Sequence, residues 1–195
     1  MDTGRHAFGN PSPGVMVLLE GVSDVAAVRV LASARGVDLE RVGFVNLGGV
    51  TNVRSVLVDI RHRVPDADVL GLCDAGEARY VVRALDAVGC PVRDASDLPS
   101  YGFFICQSDL EDELIRAVGT ARALDVVERL GLRGKLAALQ QQPAWQGRPL
   151  SDQLHRFCGV ASGRKELLAG ELAGALRPGE EPEPLRLLIE RMALL

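Results

Sequence analysis

The sequence predicts an α/β protein, with a parallel, doubly wound, four-stranded sheet flanked by helices and a helical C-terminal extension. Two observations lead to this prediction. Apolar, β-branched runs alternate four times with amphipathic helical segments, and after about residue 119 only short helical segments follow. Alternation of this kind is typical of βαβ units in a parallel sheet. We expect a flexible segment over residues 1–13, an α/β domain over 14–119, and a helical subdomain over 120–195 packed on that domain.

The first βα unit opens the α/β domain. Val15–Leu19 is a β-branched and leucine-rich run, which predicts a buried parallel strand. Glu20 directly follows that strand. Ser23 is predicted to cap a helix that runs to about Ala34, because apolar residues recur on one face of this segment.

Three further units repeat the pattern, and helices complete the chain. The other strands are predicted at Val42–Leu47, Val69–Cys73 and Gly102–Cys106. The helices that follow them are predicted to begin at Thr51 or Asn52, at Glu77 and at Ser108. The C-terminal helices are predicted at Thr120–Leu130, Lys135–Gln142, Leu150–Phe157, Ser162–Leu176 and Pro184–Leu194.

Composition narrows the class of protein. The 195 residues are 47% hydrophobic and 25% charged, as expected for one folded core. The apolar runs are too short for a transmembrane helix, and the first residues lack the apolar core of a signal peptide, so a cytoplasmic protein is expected.

The four cysteines include no CxxC pair, which favours reduced thiols. The net charge is −4, and no run of basic residues is present of the kind that sequence-independent DNA binding usually requires.

Acidic residues follow three of the four predicted strands. Glu20 ends the first strand, Asp74 ends the third, and Asp109 and Glu111 follow the fourth, while Asp24 lies in the first turn of the first helix. Ligands of open parallel sheets bind beyond the carboxyl ends of the strands, so these carboxylates should converge. Converging carboxylates repel one another, which raises their pKa values. A divalent cation that prefers oxygen ligands relieves this repulsion. The sequence therefore predicts a site for one or two Mg²⁺ or Mn²⁺ ions.

Helix capping is an alternative role for some of these acids. The segment Ser108–Glu111 fits the capping box S-x-x-E, in which both of its acids would serve the start of the helix. Asp24 in a first turn would favour the helix dipole. Glu20 and Asp74 directly follow apolar strands, where an unpaired carboxylate is costly to bury, and this favours a functional role for those two residues.

Three segments together resemble a known family. LLEGVSD (Leu18–Asp24), GLCDAGEARY (Gly71–Tyr80) and SDLEDELIRAVG (Ser108–Gly119) resemble the Toprim domain of OLD-family endonucleases. The resemblance covers about residues 14–119 and continues more loosely to SGRKELLAG, which is similar to the lysine-bearing helix of those nucleases. It implies a Toprim-like fold and a Mg²⁺-dependent nuclease that acts on phosphodiesters of nucleic acid, DNA more than RNA.

The resemblance also implies roles for the acidic residues. Glu20 matches the invariant Toprim glutamate, which is both a catalytic residue and a metal ligand, and Asp24 matches the acid near it. Asp74 matches the first aspartate of the DxD motif. Asp109 and Glu111 match the later acidic motif, so all five residues are implied metal ligands.

A basic catalytic residue is implied as well. Lys165, or Arg164 as the alternative, matches the residue that stabilises the transition state in those nucleases. Lys165 and Lys135 are the only lysines of the chain, and a compact ammonium fits a phosphate contact, although a solvated helix face is the competing interpretation.

The sequence departs from the family in two respects. Gly76 stands where the second DxD aspartate is expected, so a second metal position would fall to Glu77. No G-x-x-x-x-G-K-[ST] motif is present, so P-loop ATP hydrolysis is not expected and an ATPase partner would be a separate protein.

Two other functions compete with the nuclease. One is a noncatalytic Toprim-fold module that binds nucleic acid or regulates another protein, which Gly76 favours. The other is a phosphotransfer receiver domain, whose site also combines strand-end acids with a lysine. Receiver domains usually have paired acids after their first strand, which the Glu20-Gly21 sequence does not match.

Overall fold

The computed structural model describes residues 13–159 and 164–195. The strands are β1 (Val15–Leu19), β2 (Val42–Asn46), β3 (Asp68–Asp74) and β4 (Phe103–Cys106). The helices are α1 (Val22–Ala34), α2 (Val53–Arg63), α3 (Ala78–Ala87), α4 (Leu110–Val118), α5 (Thr120–Arg129), α6 (Arg133–Gln140), α7 (Leu150–Gly159), α8 (Arg164–Gly174) and α9 (Glu183–Ala193). Except for Pro13, the segment expected to be flexible lies outside the described residues, as do Ser162 and Gly163.

The four strands form one parallel sheet in the order β2-β1-β3-β4. The predicted α/β class, with a four-stranded parallel sheet and flanking helices, is confirmed. From the central strand β1 the chain passes to β2 on one side and then crosses to β3 on the other. The boundary between β1 and β3 is therefore the topological switch point, where open α/β sheets form a crevice for ligands.

Two apolar cores cover the two faces of the sheet. Successive side chains of a strand point to opposite faces, so Val15, Val17 and Leu19 enter one core and Met16 and Leu18 enter the other. The first core contains α1 together with residues of α4 to α9, whereas the second contains α2 and α3. The C-terminal helices thus share a core with the sheet, and the division at residues 119 and 120 stays a prediction.

The contact between α1 and α8 is the most extensive between any two helices of the described chain. Glycines allow this close approach. A Cβ at Gly170 would lie 3.8 Å from the Ala26 side chain, and one at Gly174 would lie 3.6 Å from that of Val30. Because α8 lies along α1, its first turn, which contains Lys165, lies near the end of β1.

The start of α1 differs from the prediction. Ser23 is buried inside the helix, which begins at Val22. The Gly21 N–H donates a hydrogen bond to Oδ2 of Asp24 at 2.8 Å. The side chain that satisfies the helix start is thus the carboxylate three residues further on, in the manner of the return bond of a capping box.

The start of α4 also differs. Asp109, not Ser108, is the N-cap, and its Oδ1 accepts a hydrogen bond from the Asp112 N–H at 2.8 Å. A carboxylate is a stronger acceptor than a hydroxyl and also favours the positive end of the helix. The predicted S-x-x-E box at Ser108 is therefore wrong, although Asp109 does have a capping role.

None of the helices in the described ranges is long and apolar enough to cross a membrane.

Candidate metal and catalytic site

The two residues at the switch point lie side by side. β1 pairs with β3 in parallel, so Glu20 beyond β1 and Asp74 at the end of β3 reach the same edge of the sheet. The Gly49 N–H, in the turn after β2, donates to the Glu20 backbone oxygen at 3.2 Å and fixes that residue from the other side. Gly49 has a φ of 117°, a left-handed conformation that favours glycine.

A third carboxylate joins these two. The turn after β3 closes when the Glu77 N–H donates to the Asp74 backbone oxygen at 2.9 Å. One carboxylate oxygen from each of Glu20, Asp74 and Glu77 then lies within 4.8 Å of the other two. No other group of three potential ligand side chains in the described residues meets this distance. We call these three residues the acidic triad.

No basic side chain of the described residues forms an ion pair with the acidic triad, although Lys165 is near enough to lower the pKa of Glu20. A hydrogen bond with Glu77, then burial and the repulsion of neighbouring acids, raise the pKa of Glu20 from 4.5 to about 7. Burial, followed by repulsion from Glu20 and Asp109, raises the pKa of Asp74 from 3.8 to about 7. Near neutral pH the triad therefore retains protons that ordinary carboxyl groups release, or it binds a cation instead.

Glu77 supplies an independent indication of a bound cation. Its Oε2 is buried and has no hydrogen-bond donor among the described residues. A buried carboxylate oxygen is costly unless it is neutralised. The sequence indicated Glu77 only as a substitute for the missing aspartate at Gly76, and the structure brings it together with Glu20 and Asp74.

Asp24 lies beside the acidic triad but does not join it. Its Oδ2 accepts the Gly21 N–H described above, which lowers its pKa, but burial outweighs this bond and raises the pKa from 3.8 to about 6. Repulsion by Glu111 and Glu20 also raises this pKa, whereas Lys165 lowers it. Asp24 is thus close enough for both the acidic triad and Lys165 to shift its pKa.

Glu111 is buried and forms an ion pair with Lys165. The Glu111 residue is 4% exposed, and its Oε1 lies 3.2 Å from Nζ of Lys165. Burial alone would lower the pKa of Lys165, but the pairing with Glu111 outweighs it, so this pKa is raised and the ammonium stays charged. The alternative residue, Arg164, has its guanidinium 4.5 Å from the centre of the Phe157 ring. Of the two basic residues considered, Lys165 is therefore the one that contacts the acidic edge.

Asp109 contacts a residue that the sequence did not indicate. While its Oδ1 caps α4, its Oδ2 lies 2.7 Å from Nε2 of His155 on α7. These two residues are 46 positions apart, and His155 belongs to no recognisable motif. Both oxygens of Asp109 therefore already have partners from the chain, and its role as a metal ligand stays a prediction, as do those of Asp24 and Glu111.

Comparisons with known proteins bear on this arrangement. No protein-family model matches the chain, and no curated protein matches it in sequence. The C-terminal region of the Xanthomonas campestris pv. campestris OLD protein, in its platinum-phased structure, aligns over 93% of this chain and 92% of its own with a TM-score of 0.66 and 22% identity. The C-terminal region of the Burkholderia pseudomallei OLD protein aligns over 92% and 96%, with a TM-score of 0.63 and 20% identity. The chain has the fold of the OLD C-terminal region.

The OLD-like fold extends over nearly the whole chain. An alignment over 93% of the residues must include the C-terminal helices as well as the sheet. The Toprim-like fold that the three sequence segments implied is thereby confirmed. At this level of identity the likeness concerns the fold alone.

Gly76, where the second DxD aspartate was expected, lies in the exposed turn between Asp74 and Glu77. A Cβ at this position would meet nothing within 4 Å. The backbone therefore leaves room for a side chain at this position. The absence of the carboxylate is a difference in sequence and is not imposed by steric hindrance.

Proposed function

We propose that this protein is a divalent-metal-dependent phosphodiesterase of the Toprim class, which cleaves nucleic acid, with DNA favoured over RNA. The observation that carries the proposal is the acidic triad at the switch point of the sheet, with its carboxylate oxygens within 4.8 Å of one another. A lysine that remains charged lies at the same edge, paired with Glu111. Carboxylates and a cationic side chain in one crevice are suited to a substrate whose reacting group is a phosphate.

The residues present fit Mg²⁺ or Mn²⁺. All three donors of the triad are oxygens, which hard divalent ions prefer, and such ions retain several waters, so few protein ligands are needed. The buried Oε2 of Glu77 and the raised pKa values of Glu20 and Asp74 both favour a cation at this position. Glu20, Asp74 and Glu77 would hold the first ion, and Asp24 would approach a second one. When bound, the metal supplies Lewis-acid polarisation of a phosphoryl oxygen and activation of water.

The chain's own residues position the substrate and its charge. Lys165, held by Glu111, offers an ammonium group to a phosphate oxygen, so that negative charge developing in the transition state meets a fixed positive group. Asp109 Oδ2 lies 2.7 Å from Nε2 of His155 and positions the imidazole at the same edge. A separate ATPase partner stays a prediction.

One observation favours a second function. Because Gly76 removes a carboxylate from the turn that carries the triad, the crevice could bind nucleic acid or regulate another protein without cleavage. This alternative and the nuclease make different predictions for one assay, which compares plasmid and single-stranded DNA in Mg²⁺, Mn²⁺ or EDTA.

The cleavage assay uses the wild type and the variant Glu20→Gln/Asp74→Asn. We expect metal-dependent cleavage by the wild type and a loss of at least about a hundredfold in the variant, because the metal contributes several kcal/mol of charge stabilisation. The matched control is Glu40→Gln/Asp59→Asn, which neutralises two exposed carboxylates, one just before β2 and one in α2. If the wild type binds DNA but cuts nothing with either metal, the noncatalytic module is the better description.

A further inference from the structure

The only tryptophan of the chain lies between two arginines, in the connection between α6 and α7. The guanidinium carbons of Arg148 and Arg156 each lie 6.0 Å from the centre of the Trp145 ring. The ring is only partly buried, and both arginines are exposed. This distance is the outer limit of a cation–π contact, so either guanidinium can leave the ring at little cost.

The charge around Trp145 contrasts with that of the whole protein. The net charge of the chain is −4, yet between Glu128 and Asp152 the sequence has no acidic residue. This stretch holds four basic residues, Arg129, Arg133, Lys135 and Arg148. Neither Arg148 nor Arg156 forms an ion pair with a described carboxylate, so both guanidiniums keep free donors for an anion.

The chain holds Trp145 in place with a buried polar side chain. The Gln153 side chain, 8% exposed, donates from Nε2 to the Trp145 backbone oxygen at 2.9 Å and accepts from Gln140 Nε2 at 2.8 Å. The backbone N–H of Trp145 in turn donates to the Gln142 backbone oxygen at 2.8 Å. These bonds fix the backbone of the tryptophan before any ligand arrives, which reduces the entropy lost on binding.

Arg156 is connected to the candidate site through α7. Arg156 directly follows His155, whose imidazole contacts Asp109 at the acidic edge of the sheet. Consecutive Cα atoms lie about 3.8 Å apart, so the backbone of Arg156 lies next to that of a residue which contacts this edge. The acids around the triad would otherwise repel a polyanion, and a neighbouring positive surface offsets that repulsion.

We propose that Trp145, Arg148 and Arg156 form a binding surface for single-stranded nucleic acid that leads to the candidate active site. The guanidiniums contact backbone phosphates, and the indole face that they uncover stacks on a base. Stacking of this kind needs an unpaired base, because the base faces of a duplex are already covered. DNA and RNA share both features. This surface deepens the proposed function, on which it rests for its choice of ligand.

Trp145 provides its own reporter, since the intrinsic tryptophan fluorescence comes from this residue alone. Oligo(dT), oligo(U) and a duplex of equal length are titrated into the full-length protein in EDTA, so that no cleavage takes place. We expect the single strands to quench the fluorescence and to bind more tightly than the duplex. In Arg148→Gln/Arg156→Gln the affinity should fall about tenfold or more, and the slope of log K against log salt should shrink by about 1.4, or about 0.7 per lost phosphate contact.

The matched control is Arg54→Gln/Arg83→Gln, which removes two exposed arginines from the opposite face of the sheet and should bind as the wild type does. Trp145→Ala, followed with a labelled oligonucleotide, should lose about fivefold or more in affinity. Unchanged fluorescence on binding, equal effects of the two double variants, or a preference for the duplex would each overturn the proposal. Because binding is measured without metal, a wild type that binds in this way but never cleaves contradicts only the proposed function. Cleavage that survives in Arg148→Gln/Arg156→Gln with unchanged affinity contradicts only the surface.

Discussion

Two groups of carboxylates lie at the same edge of the sheet, and the chain neutralises them differently. Glu20, Asp74 and Glu77 face one another, and the pKa values of Glu20 and Asp74 rise to about 7. Asp109 and Glu111 instead face bases from the C-terminal helices, a histidine at 2.7 Å and a lysine at 3.2 Å. Both groups follow strands in the same way along the sequence.

The difference lies in where the positive charge comes from. α7 provides a histidine and α8 a lysine for the acids after β4, so each of those acids has a basic side chain beside it. No basic side chain among the described residues forms an ion pair with the acidic triad, which therefore depends on protons or on a bound cation. The two groups remain electrostatically linked, because Asp109 raises the pKa values of both Glu20 and Asp74. A substitution should therefore act most strongly on its own group.

Replacement of Lys165 should have the largest effect of the single substitutions. Lys165→Ala is expected to lower the cleavage rate by roughly a hundredfold, because it removes fixed positive charge from the transition state. It also leaves Glu111 buried without a partner, so the free energy of unfolding should fall by about 1 to 2 kcal/mol, allowing for the partial exposure of the lysine. Single-turnover cleavage and thermal unfolding measure the two effects.

Lys135→Ala is the control for this substitution, since Lys135 is exposed and forms no ion pair with a described residue. Equal and small losses in the two variants would mean that Lys165 is an ordinary surface residue.

Metal binding should stabilise the fold through the acidic triad. An ion that binds only the native state at a hundred times its Kd stabilises by about 2.7 kcal/mol, which corresponds to roughly 5 to 10 °C in Tm for a protein of this size. Melting curves with Mn²⁺ and with EDTA should differ by this amount in the wild type. The same shift in Glu20→Gln/Asp74→Asn would show that the ion binds elsewhere.

Without metal, stability should fall as the pH rises. The pKa values of Glu20 and Asp74 are near 7 in the folded protein, above the ordinary values of 4.5 and 3.8, so the folded state binds more protons between about pH 4 and 7. Their contribution is thus fully present below the unfolded pKa values and is lost as the pH rises through about 7. In EDTA, the wild type should lose a few degrees of Tm between about pH 5 and 7.5. The loss should be smaller in Glu20→Gln/Asp74→Asn, and equal slopes for the two proteins would contradict this account.

The smallest effect is expected from an added carboxylate. Gly76→Asp meets no steric obstacle and brings a fourth acid to the turn that carries Asp74 and Glu77. We expect it to tighten Mn²⁺ binding severalfold, because more ligand charge favours the ion. Calorimetric titration of Mn²⁺ measures the change, and Gly134→Asp, in α6 and equally open, is the control. Weaker binding by Gly76→Asp than by the wild type would mean that the turn does not face the ion.

The sequence predicted the sheet well because its signals are local. Each strand is built around a short apolar run, and β1 was placed at Val15–Leu19, where the structure has it. The pairing of Glu20 with Asp74 followed from a general property of parallel sheets. The helix starts at Ser23 and Ser108 were wrong because several polar residues compete for each cap, and the side-chain geometry that decides between them is not visible in a sequence.

Contacts between distant segments could not be predicted in the same way. His155 meets Asp109 only because α7 packs on α4, and a lone histidine on an amphipathic helix carries no signal of such a contact. Glu77 was within reach of a sequence argument, since it lies three residues after Asp74. The burial of its Oε2, however, depends on the tertiary packing around it.

The close packing of α1 on α8 has a consequence for synthesis on the ribosome. Arg164, the first residue of α8, follows Ala34, the last residue of α1, by 130 residues. At a synthesis rate of roughly 5 to 20 residues per second, α8 emerges on the order of ten seconds after α1. The apolar side of α1 stays uncovered for that time. During that interval a nascent chain exposes surface that molecular chaperones recognise, and the lysine of the candidate site emerges after all the acidic residues of that site.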